Sequence, residues 1–124
     1  MAAEPILIVE DNQINLMLVK VLLATKGYDI HTANDAHEAL VLLEHLHPCL
    51  IIMDIQLPGM DGLELTRKLK ADPQYQDIAI IAVTAYAMKG DKEKALAAGC
   101  DGYIAKPIEA KTFADTITEY LHKR

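Results

Sequence analysis

Short apolar runs alternate along the chain with longer segments in which apolar residues recur at helical spacing. The runs predict five strands: Ile6 to Val9, Tyr28 to Thr32, Leu50 to Met53, Ile78 to Val83, and Gly102 to Ile104. The intervening segments predict helices. The first predicted helix ends at Gly27 and the second ends before Pro48. The third begins near Asp61 and ends at Asp72-Pro73, the fourth spans Met88 to Ala98, and the fifth runs from Glu109 to the C-terminus. The pattern thus predicts five strand and helix repeats.

Several predicted strands are apolar on both faces, as Ile6-Leu7-Ile8-Val9 and Ile51-Ile52-Met53 show. Such strands are typical of a parallel sheet that helices cover on both sides. Right-handed crossovers then predict a doubly wound open α/β sheet, in which ligands bind at the carboxyl ends of the strands beside the topological switch point. Because no internal repeat or Pro/Gly/Ser linker interrupts the chain, we expect residues 1–124 to form a single domain.

Composition narrows the possible functions. With 124 residues, 52% of them hydrophobic and 24% charged, the chain can bury a core without disulfides. The 18 acidic and 12 basic residues give a net charge of -6, which argues against nucleic acid or an anionic membrane as a partner. A targeting segment and a membrane-spanning run are both lacking, which predicts a cytoplasmic protein. Cys49 and Cys100 are interpreted as reduced packing residues.

Polar side chains follow four of the five predicted strands. Glu10 and Asp11 follow the first, Asp54 the third, Thr84 the fourth and Lys106 the fifth. Each has an ordinary alternative: Asp11 could cap the first helix, Asp54 could start a turn, Thr84 could be a strand residue, and Lys106 could be a solvated loop lysine. Taken singly, none of them indicates a reaction.

Together these residues predict a phosphoryl site. Three carboxylates at one sheet edge repel each other unless a cation neutralises them, and Mg²⁺ (or Mn²⁺) favours such oxygen ligands. A metal trap alone needs neither a lysine nor a hydroxyl, whereas a phosphoryl group needs positive charge and donors around its oxygens. We therefore expect the phosphoryl group to be carried by Asp54.

Four sequence motifs resemble the full motif set of two-component receiver (response regulator) domains. They are Val9-Glu10-Asp11-Asn12, Met53-Asp54-Ile55-Gln56-Leu57-Pro58-Gly59-Met60-Asp61-Gly62, Val83-Thr84-Ala85 and Ala105-Lys106-Pro107. The stretch from Thr84 to Asp91, with Asn12 and Asn15, further resembles single-domain regulators of the DivK type and receivers of hybrid histidine kinases. The resemblance implies a flavodoxin-like (βα)5 three-layer sandwich with a parallel five-stranded sheet in the order 2-1-3-4-5.

The resemblance also implies a phosphorelay role centred on Asp54. This residue would accept a phosphoryl group from a phosphohistidine on a sensor histidine kinase or a histidine phosphotransfer protein. Asp11, Asp54 and the backbone carbonyl of Gln56 would hold Mg²⁺, with Glu10 acting through water.

The remaining implied roles concern phosphoryl contacts and switching. Lys106 and Thr84 would contact phosphoryl oxygens, and a cis peptide between Lys106 and Pro107 would help to aim the lysine. Thr84, Tyr103 and Tyr86 would form the switch, although Tyr103 could equally be a half-buried strand tyrosine. The expected output surface, formed by the fourth helix, the fifth strand and the fifth helix, would contact a downstream protein partner.

The first helix is apolar nearly all round. Its apolar residues are Ile14, Leu16, Met17, Leu18, Val19, Val21, Leu22 and Leu23. One stripe must face the sheet. The other could dock a kinase or phosphotransfer helix, or could be buried in additional core.

Three other functions fit these residues less well. A haloacid-dehalogenase-like phosphatase, which also uses an Asp nucleophile with Mg²⁺, needs an acid two positions later, where Gln56 stands. A flavodoxin-like mononucleotide binder would have its phosphate repelled by Glu10 and Asp11. A vestigial interaction module would not need the complete set of site residues. We therefore expect a switch that catalyses only its own phosphorylation and dephosphorylation. A natural short protein is favoured over an excised domain.

Overall fold

Strands and helices alternate throughout the chain in a computed structural model that describes residues 4–57, 59–84, 90–106 and 108–122. The elements are β1 (Pro5–Val9), α1 (Gln13–Ala24), β2 (Asp29–Ala33), α2 (Ala36–Leu43), β3 (Leu50–Asp54), α3 (Gly62–Lys70), β4 (Ala79–Thr84), α4 (Asp91–Ala98), β5 (Gly102–Ala105) and α5 (Phe113–His122). This confirms the predicted five repeats. Within the described ranges, every helix is too short or too polar to cross a bilayer.

The five strands form one parallel sheet in the order β2-β1-β3-β4-β5. The chain moves outward from β1 to β2, then returns to the other side of β1 and continues to β5. The topological switch point therefore lies between β1 and β3, whose last paired residues are Val9 and Met53. The predicted fold and strand order are confirmed.

Helices cover both faces of the sheet because successive strand residues point to opposite sides. On one face, Leu7, Ile51 and Ile80 pack in a buried cluster with side chains of α2, α3 and α4. On the other face, Ile8 and Ile52 pack in a second buried cluster with side chains of α1 and α5. The two clusters make the three layers and hold the carboxyl ends of the strands in fixed relation.

Several element bounds differ from the predicted ones. β3 and β4 each extend one residue further and end in Asp54 and Thr84, so both site residues belong to the sheet. Helix α5 begins at Phe113 instead of Glu109, because the intervening residues form a turn in which the Phe113 amide donates to the Glu109 carbonyl at 3.0 Å. The predicted start of the fourth helix, Met88, lies outside the described residues.

The two cysteines have different environments. Cys100 is buried and its Sγ lies 3.8 Å from Thr66 Oγ1, as a packing residue should. Cys49 is exposed, so its interpretation as a packing residue is wrong. Its backbone instead contributes to the fold, because its amide donates to the Pro5 carbonyl at 2.8 Å.

Candidate functional site

Three carboxylates meet where β1 and β3 end. Glu10, Asp11 and Asp54 each place an oxygen within 4.8 Å of the others. Glu10 is only 4% exposed and Asp54 only 6%, whereas Asp11 is exposed. The cluster thus has two buried members and one that faces solvent, so the site is open on one side.

Lys106 lies between two of these carboxylates. Its Nζ donates to Glu10 Oε1 at 2.8 Å and to Asp54 Oδ2 at 3.3 Å. Its backbone amide donates to the Thr84 carbonyl at 2.8 Å, which ties the end of β5 to the end of β4. The pairing with Glu10 was not expected from the sequence, which assigned Lys106 only to a phosphoryl oxygen.

Burial and charge alter the acidity of this cluster. Burial of the Glu10 carboxyl, reinforced by its hydrogen bond to Asp54, raises the pKa of Glu10 from 4.5 to about 7. Burial alone would lower the pKa of Lys106. The hydrogen bond to Glu10 and the charge of Asp54 outweigh it and raise that pKa above its ordinary value. Lys106 therefore remains charged, while the cluster retains an excess of negative charge.

Asn12 forms the cap of α1. The Asn12 side chain accepts hydrogen bonds from the amides of Ile14 and Asn15, both at 3.0 Å, so the alternative that Asp11 caps this helix is wrong. The Asn12 amide in turn donates to Glu10 Oε2 at 3.2 Å. Asp11 is thereby left available for ligation.

Asp54 does start a turn. Its Oδ1 accepts a hydrogen bond from the Gln56 amide at 3.0 Å, while its Oδ2 faces Lys106. The turn is therefore compatible with the predicted chemical role of Asp54, because the hydrogen bond from the Gln56 amide orients the carboxylate and leaves Oδ2 facing Lys106. Gln56 itself is exposed at the site.

Helix α3 is packed tightly onto this turn through Gly62. The Gly62 amide donates to the Ile55 carbonyl at 2.8 Å. A Cβ at Gly62 would overlap the backbone oxygen of Asp54 and lie 2.9 Å from the Ile55 Cα. Only glycine permits this approach. The pair Asp61-Gly62 marks the position in the sequence, but the close contact depends on the packing of α3 and cannot be predicted from the pair alone.

The predicted switch residues are only partly described. Thr84 is 2% exposed at the end of β4. Tyr103 on β5 is half-buried and packs against the hydrophobic cluster on the α2, α3 and α4 side of the sheet. This agrees with the alternative in which Tyr103 is an ordinary strand residue. Tyr86 and Pro107 lie outside the described residues, so the second switch position and the cis peptide stay predictions.

Helix α1 leaves one of its apolar stripes exposed. Leu16, Val19 and Leu23 are buried against the sheet. The other stripe, which we name the α1 stripe, consists of Ile14 (81% exposed), Met17 (62%), Leu18 (37%) and Val21 (55%). The alternative of additional core burial is therefore wrong for these four residues.

The sequence model of the family described as response regulator receiver domain matches residues 6–118. The chain belongs to this family. Among curated relatives, the receiver is 47% identical over 116 residues to the polar-differentiation response regulator DivK of Brucella ovis, covering 94% of each chain. The function is thus that of a DivK-like phosphorelay regulator.

Solved structures agree with this family assignment. The receiver matches a CheY-like response regulator receiver domain protein from Methanospirillum hungatei with a TM-score of 0.89 and 34% identity, over 98% of this chain and 96% of that one. It matches the receiver domain of the sensor histidine kinase PA1611 from Pseudomonas aeruginosa with a TM-score of 0.87 and 33% identity, over 98% of this chain and 99% of that one. That crystal structure has a magnesium ion coordinated in its active site cleft.

Family membership settles the class of function. Receiver domains act as phosphoacceptor switches, bind Mg²⁺ in an acidic site, take phosphate from histidine kinases or phosphotransfer proteins, and act on downstream partners. The haloacid-dehalogenase-like alternative is not supported by any of these matches. The acidic cluster of this receiver is the corresponding candidate site.

Proposed function

We propose that Asp54 is the phosphoacceptor of this receiver. The observation that carries the proposal is the position of Lys106 Nζ, which lies 3.3 Å from Asp54 Oδ2 within a cluster of three carboxylates. A carboxylate oxygen of Asp54 attacks phosphorus, the bond between phosphorus and the donor histidine nitrogen breaks, and the imidazole leaves with the bonding electrons. Lys106 and Thr84, at the neighbouring strand ends, then contact oxygens of the phosphoryl group.

The carboxylate cluster fits a divalent cation. Glu10, Asp11 and Asp54 supply three acidic groups against the single positive charge of Lys106, and two of the three are buried, so a bound cation would favour the fully ionised cluster. Asp11, Asp54 and the Gln56 carbonyl would hold Mg²⁺ (or Mn²⁺), with Glu10 acting through water. When bound, the ion neutralises charge on the attacking carboxylate and the transferred group.

The phosphoryl donor is proposed to dock on the α1 stripe. These four apolar residues begin at Ile14, three positions beyond Asp11, so they border the mouth of the site. An apolar helix face of this kind fits a helix of a sensor histidine kinase or a histidine phosphotransfer protein. A donor seated there would bring its phosphohistidine to the side of the cluster that Asp11 leaves open.

Phosphorylation is proposed to act on a downstream protein through α4, β5 and α5. The tie between the Lys106 amide and the Thr84 carbonyl connects the site to β5, and a hollow of about 220 Å³ lies between β5 and α5, lined in part by Ile104 and Phe113. The receiver is then a switch and not an enzyme that acts on a separate substrate, because Gln56 supplies no general acid for turnover. Residues 1–124 as one receiver domain, and a cytoplasmic location, stay predictions.

The test is chemical labelling followed by intact-mass measurement. Incubation with acetyl phosphate and Mg²⁺ should add one phosphoryl mass to the wild-type chain, and chelation of the metal should prevent the addition. Asp54→Asn should abolish it, whereas Asp115→Asn, an exposed carboxylate on α5, should leave it unchanged. Labelling of Asp54→Asn at the wild-type level would refute the assignment.

A further inference from the structure

A shallow groove runs between α3 and α4, and none of the three carboxylates of the cluster lines it. It encloses about 250 Å³ and is lined by Leu63, Arg67, Lys94, Ala97 and Ala98. Leu63, Ala97 and Ala98 make an apolar floor, while the exposed side chains of Arg67 and Lys94 supply two positive charges. An apolar floor with a basic rim is an arrangement that neither the phosphoryl chemistry nor the α1 stripe uses.

The two cations of the groove have no acidic partner within the described residues. Among the residues that the structure describes, neither Arg67 nor Lys94 takes part in an ion pair. Some other cations of the described residues are paired, since Lys26 bridges to Asp115 at 2.7 Å and Lys70 to Asp101 at 3.0 Å, whereas Lys20 and Lys92 are in no ion pair and lie outside the groove. In a chain with a net charge of -6, two unpaired cations beside an apolar floor form a local positive surface.

The geometry points to an acidic peptide segment of a partner protein as the occupant of this groove. Carboxylates of the segment would pair with Arg67 and Lys94, and an aliphatic side chain would lie on Leu63 and Ala97. The groove is smaller than the roughly 300 Å³ at which pockets for small molecules begin, which favours a few side chains of a peptide over a cofactor.

Phosphate ligands fit this groove less well. Polyphosphates are typically bound by a row of free backbone N–H groups at a helix N-terminus or a glycine-rich loop. Here the lining residues lie within α3 and α4, beyond the first residue of either helix, so only two side-chain cations are offered.

The test uses two capped peptides and ¹H–¹⁵N spectra of the full chain. The acidic probe is acetyl-Asp-Leu-Glu-Leu-amide, and its neutral counterpart is acetyl-Asn-Leu-Gln-Leu-amide. The acidic peptide should shift the amides of Leu63, Arg67, Lys94 and Ala97, and should bind about fivefold more tightly than the neutral one, because two exposed charge pairs are each worth a few-fold.

A double variant and a charge-matched control decide the outcome. Arg67→Gln with Lys94→Gln should remove the preference for the acidic peptide, whereas Lys20→Gln with Lys92→Gln, which changes the net charge equally outside the groove, should retain it. The proposal would be overturned if the two peptides bound the wild type equally, or if both double variants lost the preference for the acidic peptide to the same extent. It would also be overturned if inorganic triphosphate shifted the groove amides more than the acidic peptide does.

Discussion

The burial of Glu10 makes the stability of the metal-free receiver depend on pH. In the unfolded chain the Glu10 carboxyl has its ordinary pKa of 4.5, and in the folded protein burial and the hydrogen bond to Asp54 raise it to about 7. Between these two values the folded protein binds more protons than the unfolded chain. The free energy of unfolding therefore falls as the pH rises through this window.

The magnitude follows from the size of the shift. Each pKa unit corresponds to about 1.4 kcal/mol, so the complete effect is about 3 kcal/mol. Between pH 5 and pH 8 the free energy of unfolding should fall by about 2–3 kcal/mol, because a small part of the change already lies below pH 5. This is a large fraction of the stability of a typical domain.

The assay is urea unfolding followed by far-ultraviolet circular dichroism, in the presence of a chelator, at several pH values from 5 to 8. Glu10→Gln carries no charge at any pH in this range, so its stability should lack this decrease. Its one side-chain oxygen can replace only one of the two acceptors that Lys106 and the Asn12 amide use, and this loss lowers the stability equally at every pH. The free energy of unfolding of the variant should thus rise by about 2–3 kcal/mol relative to that of the wild type between pH 5 and pH 8. Glu119→Gln, an exposed glutamate on α5, is the matched control and should follow the wild type.

Parallel pH profiles of Glu10→Gln and the wild type would refute the reasoning. A direct titration of the wild-type Glu10 carboxyl by ¹³C NMR provides an independent measurement. Its midpoint should lie near pH 7, and a midpoint close to 4.5 would show that burial does not act on this group as the structure indicates.

Two further predictions concern docking and helix packing. Met17→Glu should slow phosphotransfer from a phosphorylated histidine phosphotransfer domain at least about tenfold without affecting labelling by acetyl phosphate, because a charge in an apolar interface is costly while the carboxylates are untouched. Val41→Glu, at an exposed position on α2 (47% exposed against 62% for Met17), is the control and should leave both rates unchanged. Equal slowing of phosphotransfer by both variants, or loss of acetyl phosphate labelling in Met17→Glu, would contradict the docking role. Gly62→Ala should lower the free energy of unfolding by about 1–3 kcal/mol in urea titrations, because its Cβ would overlap the Asp54 backbone, and unchanged stability would contradict that contact.

The sheet and the location of the site could be predicted because both rest on short-range patterns. Strands such as Ile51-Ile52-Met53 are apolar on both faces, which requires helices on each side of the sheet. Parallel strands bring their carboxyl ends to one edge, so Glu10, Asp54 and Lys106 could be expected to meet there. The positions of the strand ends were less certain, because Asp54 and Thr84 continue the sheet although they are polar.

Other features depend on tertiary contacts that no local pattern encodes. A helix that is apolar all round does not reveal which stripe meets the sheet, and only the structure separates Leu16 and Val19 from Ile14 and Met17. Asp11 and Asn12 are both good capping residues, so their roles depended on where β1 ends. The tight approach of Gly62 to Asp54 likewise requires the packing of α3 against β3.

The unpredicted pairing of Lys106 with Glu10 shows how the fold prepares the site for a change of charge. One lysine faces two buried carboxylates at 2.8 and 3.3 Å, so a negative charge remains uncompensated in the unphosphorylated cluster. Uptake of a proton by Glu10 or of a divalent cation by the cluster relieves this excess. A phosphoryl group on Asp54 would add further negative charge and compete with Glu10 for Lys106. Since the Lys106 amide is bonded to Thr84, such a shift would act directly on the ends of β4 and β5, where the proposed output surface begins.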